Sequence, residues 1–143
     1  MSITQTLTNV FKQDCLDGAQ NLGTSGDTIK IALYTSSATL NATTTAYTTS
    51  NEVSGTGYTA GGTTLSSQSV TLDTTNGVAF FDAADPTFTS ATITARGALN
   101  YNNSKSNAAI AVLDFGSDFS SSNGTFQVQF PTAAHNTALI RIS

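Results

Sequence analysis

Apolar and polar side chains alternate with a period of two along much of this chain, and the alternation is clearest between Thr92 and Gly116. Ile93, Ala95, Gly97, Leu99 and Tyr101 interleave with Thr92, Thr94, Arg96, Ala98 and Asn100. That period predicts a strand with two unlike faces. Residues 108–115 are apolar on both faces, with Ala109, Ala111, Leu113 and Phe115 on one and Ile110 and Val112 on the other. A central strand covered on both sides is expected there. The run Asn102, Asn103, Ser104, Lys105, Ser106, Asn107 is turn chemistry, so the two strands should form a hairpin.

The remaining elements follow from the same reading. Ile3, Leu7, Val10, Phe11, Leu16 and Ala19 recur at helical spacing behind a Ser2-Ile3-Thr4-Gln5 capping box, predicting a helix over about 2–20 ended by Gly18 or Gly23. Its apolar face must cover the sheet or meet a neighbouring subunit, which makes Leu7 and Phe11 candidate contacts. Residues 28–35 form the first predicted strand, with Ile29, Ile31 and Leu33 inward. Residues 36–49 read as a long surface loop anchored by Leu40 and Tyr47, closing in a short strand at 46–49. The segment 51–62 then carries four glycines, Gly55, Gly57, Gly61 and Gly62, and should be either an ordered tight loop or a flexible one.

Residues 63–72 and 78–81 read as a hairpin closed by Asn76-Gly77, and 82–86 as a turn leading through 87–90 into the central hairpin. Residues 116–124 read as a Ser-rich loop. Phe126, Val128 and Phe130 share one side of a strand stopped by Pro131, and residues 138–142 supply a last strand. About eight short strands with turn signals between them predict a mainly β, single-domain β-sandwich or jelly roll over about 27–143, preceded by the helix.

Charge sharpens the picture. Only 10% of the 143 residues are charged, against about 25% in ordinary soluble domains, and Ser, Thr, Asn and Gly fill the gap. Hydroxyls and amides can be buried against neighbours without desolvating ions, so the composition suits a part of an assembly. A net charge of -4 with five Lys plus Arg offers no phosphate-binding patch, which argues against nucleic acid as a partner. The single Cys15 cannot form an internal disulfide and is expected to be a small buried residue of the helix. The amino terminus has no basic region or long apolar core, so no secretory signal is predicted, and no stretch approaches the roughly 20 apolar residues of a membrane span.

Little in the chain suggests catalysis, and the sequence predicts no enzyme, cofactor or metal. His135 is the sole histidine and lies in no nucleophile motif. Asp82 with Asp85, and Asp114 with Asp118, are the conceivable carboxylate pairs for sugar hydrolysis, but each flanks a turn where Asp caps local amides. Asp114-Phe115-Gly116 matches a kinase tripeptide without the accompanying kinase motifs, and the Gly55-Thr56-Gly57 segment is followed by no helix that would make it a dinucleotide fingerprint. Arg96 carries more information. The predicted hairpin brings it level with Leu113 or Asp114, so an Arg96 to Asp114 ion pair, or a contact from Arg96 to a neighbouring subunit, is expected.

Three pieces in fixed order carry a resemblance: Asp27 to Thr35 (DTIKIALYT) after an amino-terminal helix, Asn51 to Gly62 (NEVSGTGYTAGG), and Thr92 to Ala98 (TITARGA) leading to Val112 to Gly116 (VLDFG). Together they resemble a widespread group of small virion-associated proteins of tailed bacteriophages. The resemblance implies a non-enzymatic particle component made in the host bacterial cytoplasm and residing in the virion. A capsid decoration or cement protein is its most direct form, bound to the major capsid protein and to copies of itself as a homotrimer. On that expectation Asn51, Glu52, Gly55, Gly57 and Tyr58 of the glycine loop join Arg96, Leu7 and Phe11 as interface candidates. A tail or fibre component that attaches to a host glycan is the alternative, and with no Trp it would draw on Tyr47, Tyr58 or Tyr101.

Overall fold

A computed structural model describes residues 2–143. Its elements in chain order are β1 (Thr6–Leu7), α1 (Asn9–Asp17), β2 (Ile29–Tyr34), β3 (Thr63–Thr64), β4 (Ser69–Asp73), β5 (Val78–Asp82), β6 (Thr87–Asn102), β7 (Ala108–Gln127) and β8 (Ile140–Ile142). The protein is mainly β, with one short helix and two antiparallel sheets ordered β1-β7-β6-β2-β3 and β4-β5-β8.

The large sheet is buried on both faces, which explains the apolar reading of its middle strands. On one face Ile29, Ile31, Leu33, Ile93, Ala98 and Ile110 join Phe81 and Ile140 of the small sheet in a single core. The opposite face holds Ala32, Tyr34, Leu99, Tyr101, Ala109 and Val112. Ile3, Ala38 and Leu40 cover it, so the predicted loop 36–49 is a covering layer; its expected strand at 46–49 reduces to one bridge between Ala46 and Ala108. A register shift between Asn100 and Tyr101 modifies the predicted faces of β7, for Ile110 and Ala111 lie in the first core while Ala109 and Val112 lie in the second.

The helix is much shorter than its apolar spacing predicts. Thr8, not Ser2, caps it: the Thr8 hydroxyl accepts the Phe11 amide hydrogen at 3.3 Å and donates to the β7 carbonyls of Ala109 and Ile110, which bolts the helix start to the sheet. Residues 2–7 are extended instead. Ile3 bridges Leu40, Thr6 and Leu7 pair with Val112 and Ala111, and the supposed capping Gln5 accepts the Asp114 amide hydrogen. Gly18 ends the helix in the left-handed region at φ 68°. Phe11 is the helix's buried residue, whereas Leu16 is 92% exposed and Cys15 is exposed too, against the expectation of a buried thiol. Leu16 and Cys15 lie on the outer side of a nine-residue helix whose contacts with the core are made by Phe11 and, half-buried, Val10.

Two further departures concern strand lengths. The predicted strand 63–72 is cut at Ser67, whose φ of 54° turns the chain from the large sheet into the small one. The predicted Ser-rich loop 116–124 is strand, part of a 20-residue β7. Alternation fails there because no apolar row is needed: Thr94 and Ser120 hydroxyls lie 2.7 Å apart across the pair, the Ser121 hydroxyl donates to the Ala91 carbonyl, and the Asn123 amide donates to the Thr92 hydroxyl. Phe126, Val128 and Phe130 do share one side and are buried, as their spacing requires.

One core position stands out. Asn100 on β6 is 1% exposed, faces Ile31 and Ala111 across the ladder, and neither side-chain amide atom finds a partner among the described residues. An unsatisfied buried polar group of this kind costs about 1–3 kcal/mol. Asn100→Leu, which keeps the branched shape and removes both polar atoms, should therefore raise the urea midpoint. A lower midpoint for that variant would show that the amide is satisfied in solution.

Candidate functional site

The glycine loop 51–62 is the predicted contact segment, and its geometry is set by one carboxylate. Glu52, the sole glutamate of the chain, accepts hydrogen bonds from the Tyr47 hydroxyl at 2.6 Å, the Tyr58 hydroxyl at 2.7 Å and the Gly61 amide at 2.7 Å. The Tyr58 oxygen in turn accepts the Leu33 amide hydrogen of β2. Tyr101 of β6 donates to the Gly61 carbonyl at 2.7 Å and stacks on Tyr47 with ring centroids 4.8 Å apart. Tyr34 donates to the Thr48 carbonyl at 2.6 Å. All four tyrosines of the protein thus gather around this loop.

Electrostatics keep the clasp in its donor form. Burial raises the phenol pKa values of Tyr47 and Tyr58 far above the usual range, and the Glu52 carboxylate that accepts their hydrogen bonds adds to the rise. Burial also raises Tyr34 and Tyr101, with Glu52 again contributing. Phenols held this way remain hydrogen-bond donors throughout the physiological pH range.

The glycines let the loop lie flat on the sheet. Gly57, at φ 81°, sits so close to β6 that an added Cβ would stand 2.7 Å from the Ala91 Cα and the Ser90 carbonyl oxygen. Gly62, at φ 77°, has the Ile31 carbonyl oxygen where its own Cβ would go. Thr56 bridges Thr92, and the Thr92 amide donates to the Thr56 carbonyl at 2.9 Å. Gly55 likewise leaves no room for a side chain before the Thr92 carbonyl. The loop is therefore an ordered brace from β2 to the far half of β6, with Asn51, Gly55 and Gly57 exposed on its outside.

The other sequence candidates are scattered. Arg96 Nε lies 3.2 Å from Asp114 Oδ1, the expected pair, about a third exposed. Phe11 is in the core and Leu7 is half-buried against it, so the helix face assigned to a neighbour is spent inside the chain. The aspartates of the turns act as caps: Asp82 accepts the Ala83 amide hydrogen, Asp85 that of Phe130, and Asp114 that of Gly116. His135 Nδ1 lies 3.7 Å from Asp73 Oδ2 at the surface, and the described residues hold no group of three or more His, Cys, Asp or Glu able to hold a metal ion. Among the described residues no helix is long and apolar enough to cross a membrane.

An apolar surface that the alternation alone did not single out lies on the small sheet. Val70, Leu72, Ala79, Phe81, Ile140 and Ile142 share one face through the β4, β5 and β8 registers. Phe81 and Ile140 enter the core, but Val70, Leu72 and Ile142 remain 52%, 66% and 56% exposed. Val70, Ala79, Phe81, Ile140 and Ile142 of this face, with Phe11, Cys15 and residues 20–23, wall a cleft of about 420 Å³, and Leu72 lies outside it. The outer edge of β4, with the sequence SVTLD, carries no lysine or proline to discourage strand pairing. The signal was Val70 and Leu72 on the same side of a two-period run beside a polar turn.

No protein-family model, curated protein or solved structure matches this chain.

Two predictions follow from these contacts. Glu52→Ala should lower stability by about 2–3 kcal/mol and open residues 51–62 to limited proteolysis, because three donors lose a charged acceptor; Glu52→Gln, which retains an acceptor oxygen, should lose less. Gly62→Ala should lose at least about 2 kcal/mol through left-handed strain and collision with β2. Chemical denaturation with cleavage mapping checks both, and wild-type stability in either alanine variant would remove the clasp as the organiser of the loop.

The acidic limb of the stability profile supplies another. The Gly116 amide, with the Arg96 guanidinium, holds the Asp114 carboxyl below its usual range. Asn76 does the same for Asp73; for Asp27 burial is the largest single influence and opposes, but the bonds from Asn21 and Asn102 and the Lys105 charge together outweigh it. With folded values below an unfolded value near 3.9, this stabilisation is complete above about pH 4 and disappears as pH falls through the folded values. Asp82, raised by burial and by Asp85, acts in the opposite sense and cannot add to the acid loss. Melting temperature measured against pH should therefore fall below about pH 4. Asp114→Asn should flatten part of that fall, while Arg96→Ala costs no more than about 1 kcal/mol because the pair is partly exposed.

Proposed function

We propose that this chain is a structural protein of a bacteriophage particle that decorates the outer surface of the capsid, binding the major capsid protein and copies of itself as a homotrimer. One observation carries the reading: the small sheet presents a half-bare apolar face of Val70, Leu72 and Ile142 beside an unguarded strand edge, on a chain with only 10% charged residues. An apolar patch rimmed by hydroxyls and amides can meet a protein surface with little ionic desolvation. The three stretches that resemble virion-associated proteins support the same reading, and the outer side of the glycine loop, from Asn51 to Gly57, is the second contact on this proposal. We read the two sheets, joined through one core, as a β-sandwich.

The tail or fibre alternative drew its aromatics from Tyr47, Tyr58 and Tyr101, and these are committed to the clasp around Glu52 and Gly61. Those three tyrosines are thus not the free aromatics such attachment would use, and the decoration reading is preferred because it rests on the exposed small-sheet face.

The test is reconstitution on undecorated phage heads, followed by cryo-electron microscopy. Density at many equivalent shell positions, with a trimer by light scattering, is the expected result. Leu72→Asp alters an exposed side chain and should change stability by no more than about 0.5 kcal/mol, yet it should abolish binding to the heads. Density confined to the tail, or a Leu72→Asp protein that decorates as well as wild type, would overturn the assignment.

A further inference from the structure

A second groove lies away from both the clasp and the small-sheet face. It is a cleft of about 560 Å³ between the far half of β7 and the carboxy-terminal segment, with Phe115, Phe119 and Leu139 among its apolar walls and Gln5, Gln127 and Gln129 among its polar ones. Its volume falls within the range of sites for small ligands, about 300–1,000 Å³.

Phe119 is the unusual residue. It is 52% exposed although it stands opposite Ala95, whose side chain belongs to the core. Phe115 holds it in an edge-to-face pair with centroids 6.4 Å apart, and Phe115 is itself packed against the Phe126 ring of the core. A half-bare ring backed by a chain of aromatics is a fixed platform rather than a mobile side chain.

The polar walls narrow the ligand class. The groove contains no Lys, Arg or His, and its one charged residue, Asp114, already answers Arg96 and the Gly116 amide. Phosphates, nucleotides and other anions would find no counter-charge and would meet the Asp114 carboxylate. A purely apolar ligand would leave the amides of Gln127 and Gln129 facing hydrocarbon, and burying unpaired amides is unfavourable. The Gln129 amide donates to the Gln127 side-chain oxygen at 3.5 Å, a long bond that leaves the Gln129 oxygen, its second hydrogen and the Gln127 NH2 group for neighbouring hydroxyls. Gln5 spends its oxygen on the Asp114 amide and keeps its NH2 group. The ligand that satisfies these walls has a flat C–H face for the Phe119 ring and a rim of uncharged hydroxyls for the amides.

We propose that this groove is a binding site for a neutral saccharide, with Phe119 as the stacking platform and Gln127 and Gln129 as hydroxyl-reading residues. The inference rests on the groove alone and does not depend on where in a particle the protein resides.

The experiment begins with the full-length protein on a printed array of neutral and anionic glycans. The strongest neutral glycan is then titrated into isotopically labelled protein and followed by amide chemical shifts. The expected result is saturable binding at about millimolar concentration or tighter, with shifts centred on Phe119, Ser120, Gln127 and Gln129. Phe119→Ala should weaken it at least about tenfold, as expected for loss of a stacking face. A Gln127→Ala, Gln129→Ala double variant, altered at two exposed positions, should weaken it with an unchanged urea midpoint. The wild-type shift map decides the site even where Phe119→Ala perturbs folding. An array with no bound neutral glycan, selective binding of anionic glycans, shifts centred elsewhere, or wild-type affinity in the double variant would each overturn the proposal.

Discussion

The antiparallel ladder between β6 and β7 is the constraint on which the other parts depend. Both strands are far longer than their partners, and each half of the pair serves a different purpose. The half nearest the 103–107 turn is sandwiched, with β2 and β1 beside it and a core on either face. Among the described residues the far half has no third strand alongside, and it would be a bare two-stranded ribbon, which is marginal in water. It is rescued by other means: the glycine loop bridges onto it at Thr92, hydroxyls pair across it, and Phe126 and Phe88 carry it back into the core.

Glu52 is how the loop can do this. A loop with four glycines in eight positions loses much conformational entropy on folding, so it needs strong local compensation. A single carboxylate accepting two phenols and an amide supplies it, because hydrogen bonds to a charged group are about twice as strong as neutral ones. The bonds also connect separate elements: Tyr58 passes the contact on to β2 through Leu33, and the Tyr101 hydroxyl brings in β6. Glycine gives the loop its close approach to the sheet, and the tyrosines give it a fixed position once there.

How much of this was legible depended on whether an element has a buried face. The strands β2, the near half of β6 and the segment from Phe126 to Phe130 were readable because Ile29, Ile31, Leu33, Leu99 and Phe126 obey a period of two enforced by burial. The Arg96 to Asp114 pair was readable because turn and register fix it. The middle of β7 was not, since Ser117, Ser120 and Ser122 lie on a solvated edge where hydroxyl pairing replaces apolar alternation. The helix was overextended because Ile3 and Leu7 fit a helical stripe by spacing, yet each is held by a strand contact some hundred or forty residues away. The clasp lay outside pattern reasoning altogether. Its only trace was compositional, the lone Glu52 flanked by Tyr47 and Tyr58, and long-range hydrogen bonds have no periodicity to detect.

The carboxy-terminal segment ties the two proposed surfaces together. Leu139 lines the groove beside β7, whereas the next residue, Ile140, enters the core and Ile142 lines the cleft of the small sheet. Leu139 immediately precedes the strand Ile140–Ile142, so one short carboxy-terminal segment supplies a wall residue to each. That strand is held by three register pairs with β5 and by the Arg141 guanidinium on the His135 carbonyl. A partner that presses on the small-sheet face therefore bears on the same three residues that position Leu139. The low charge of the chain fits such a division: apart from Leu16 on the helix, the large exposed apolar side chains among the described residues lie at these two places.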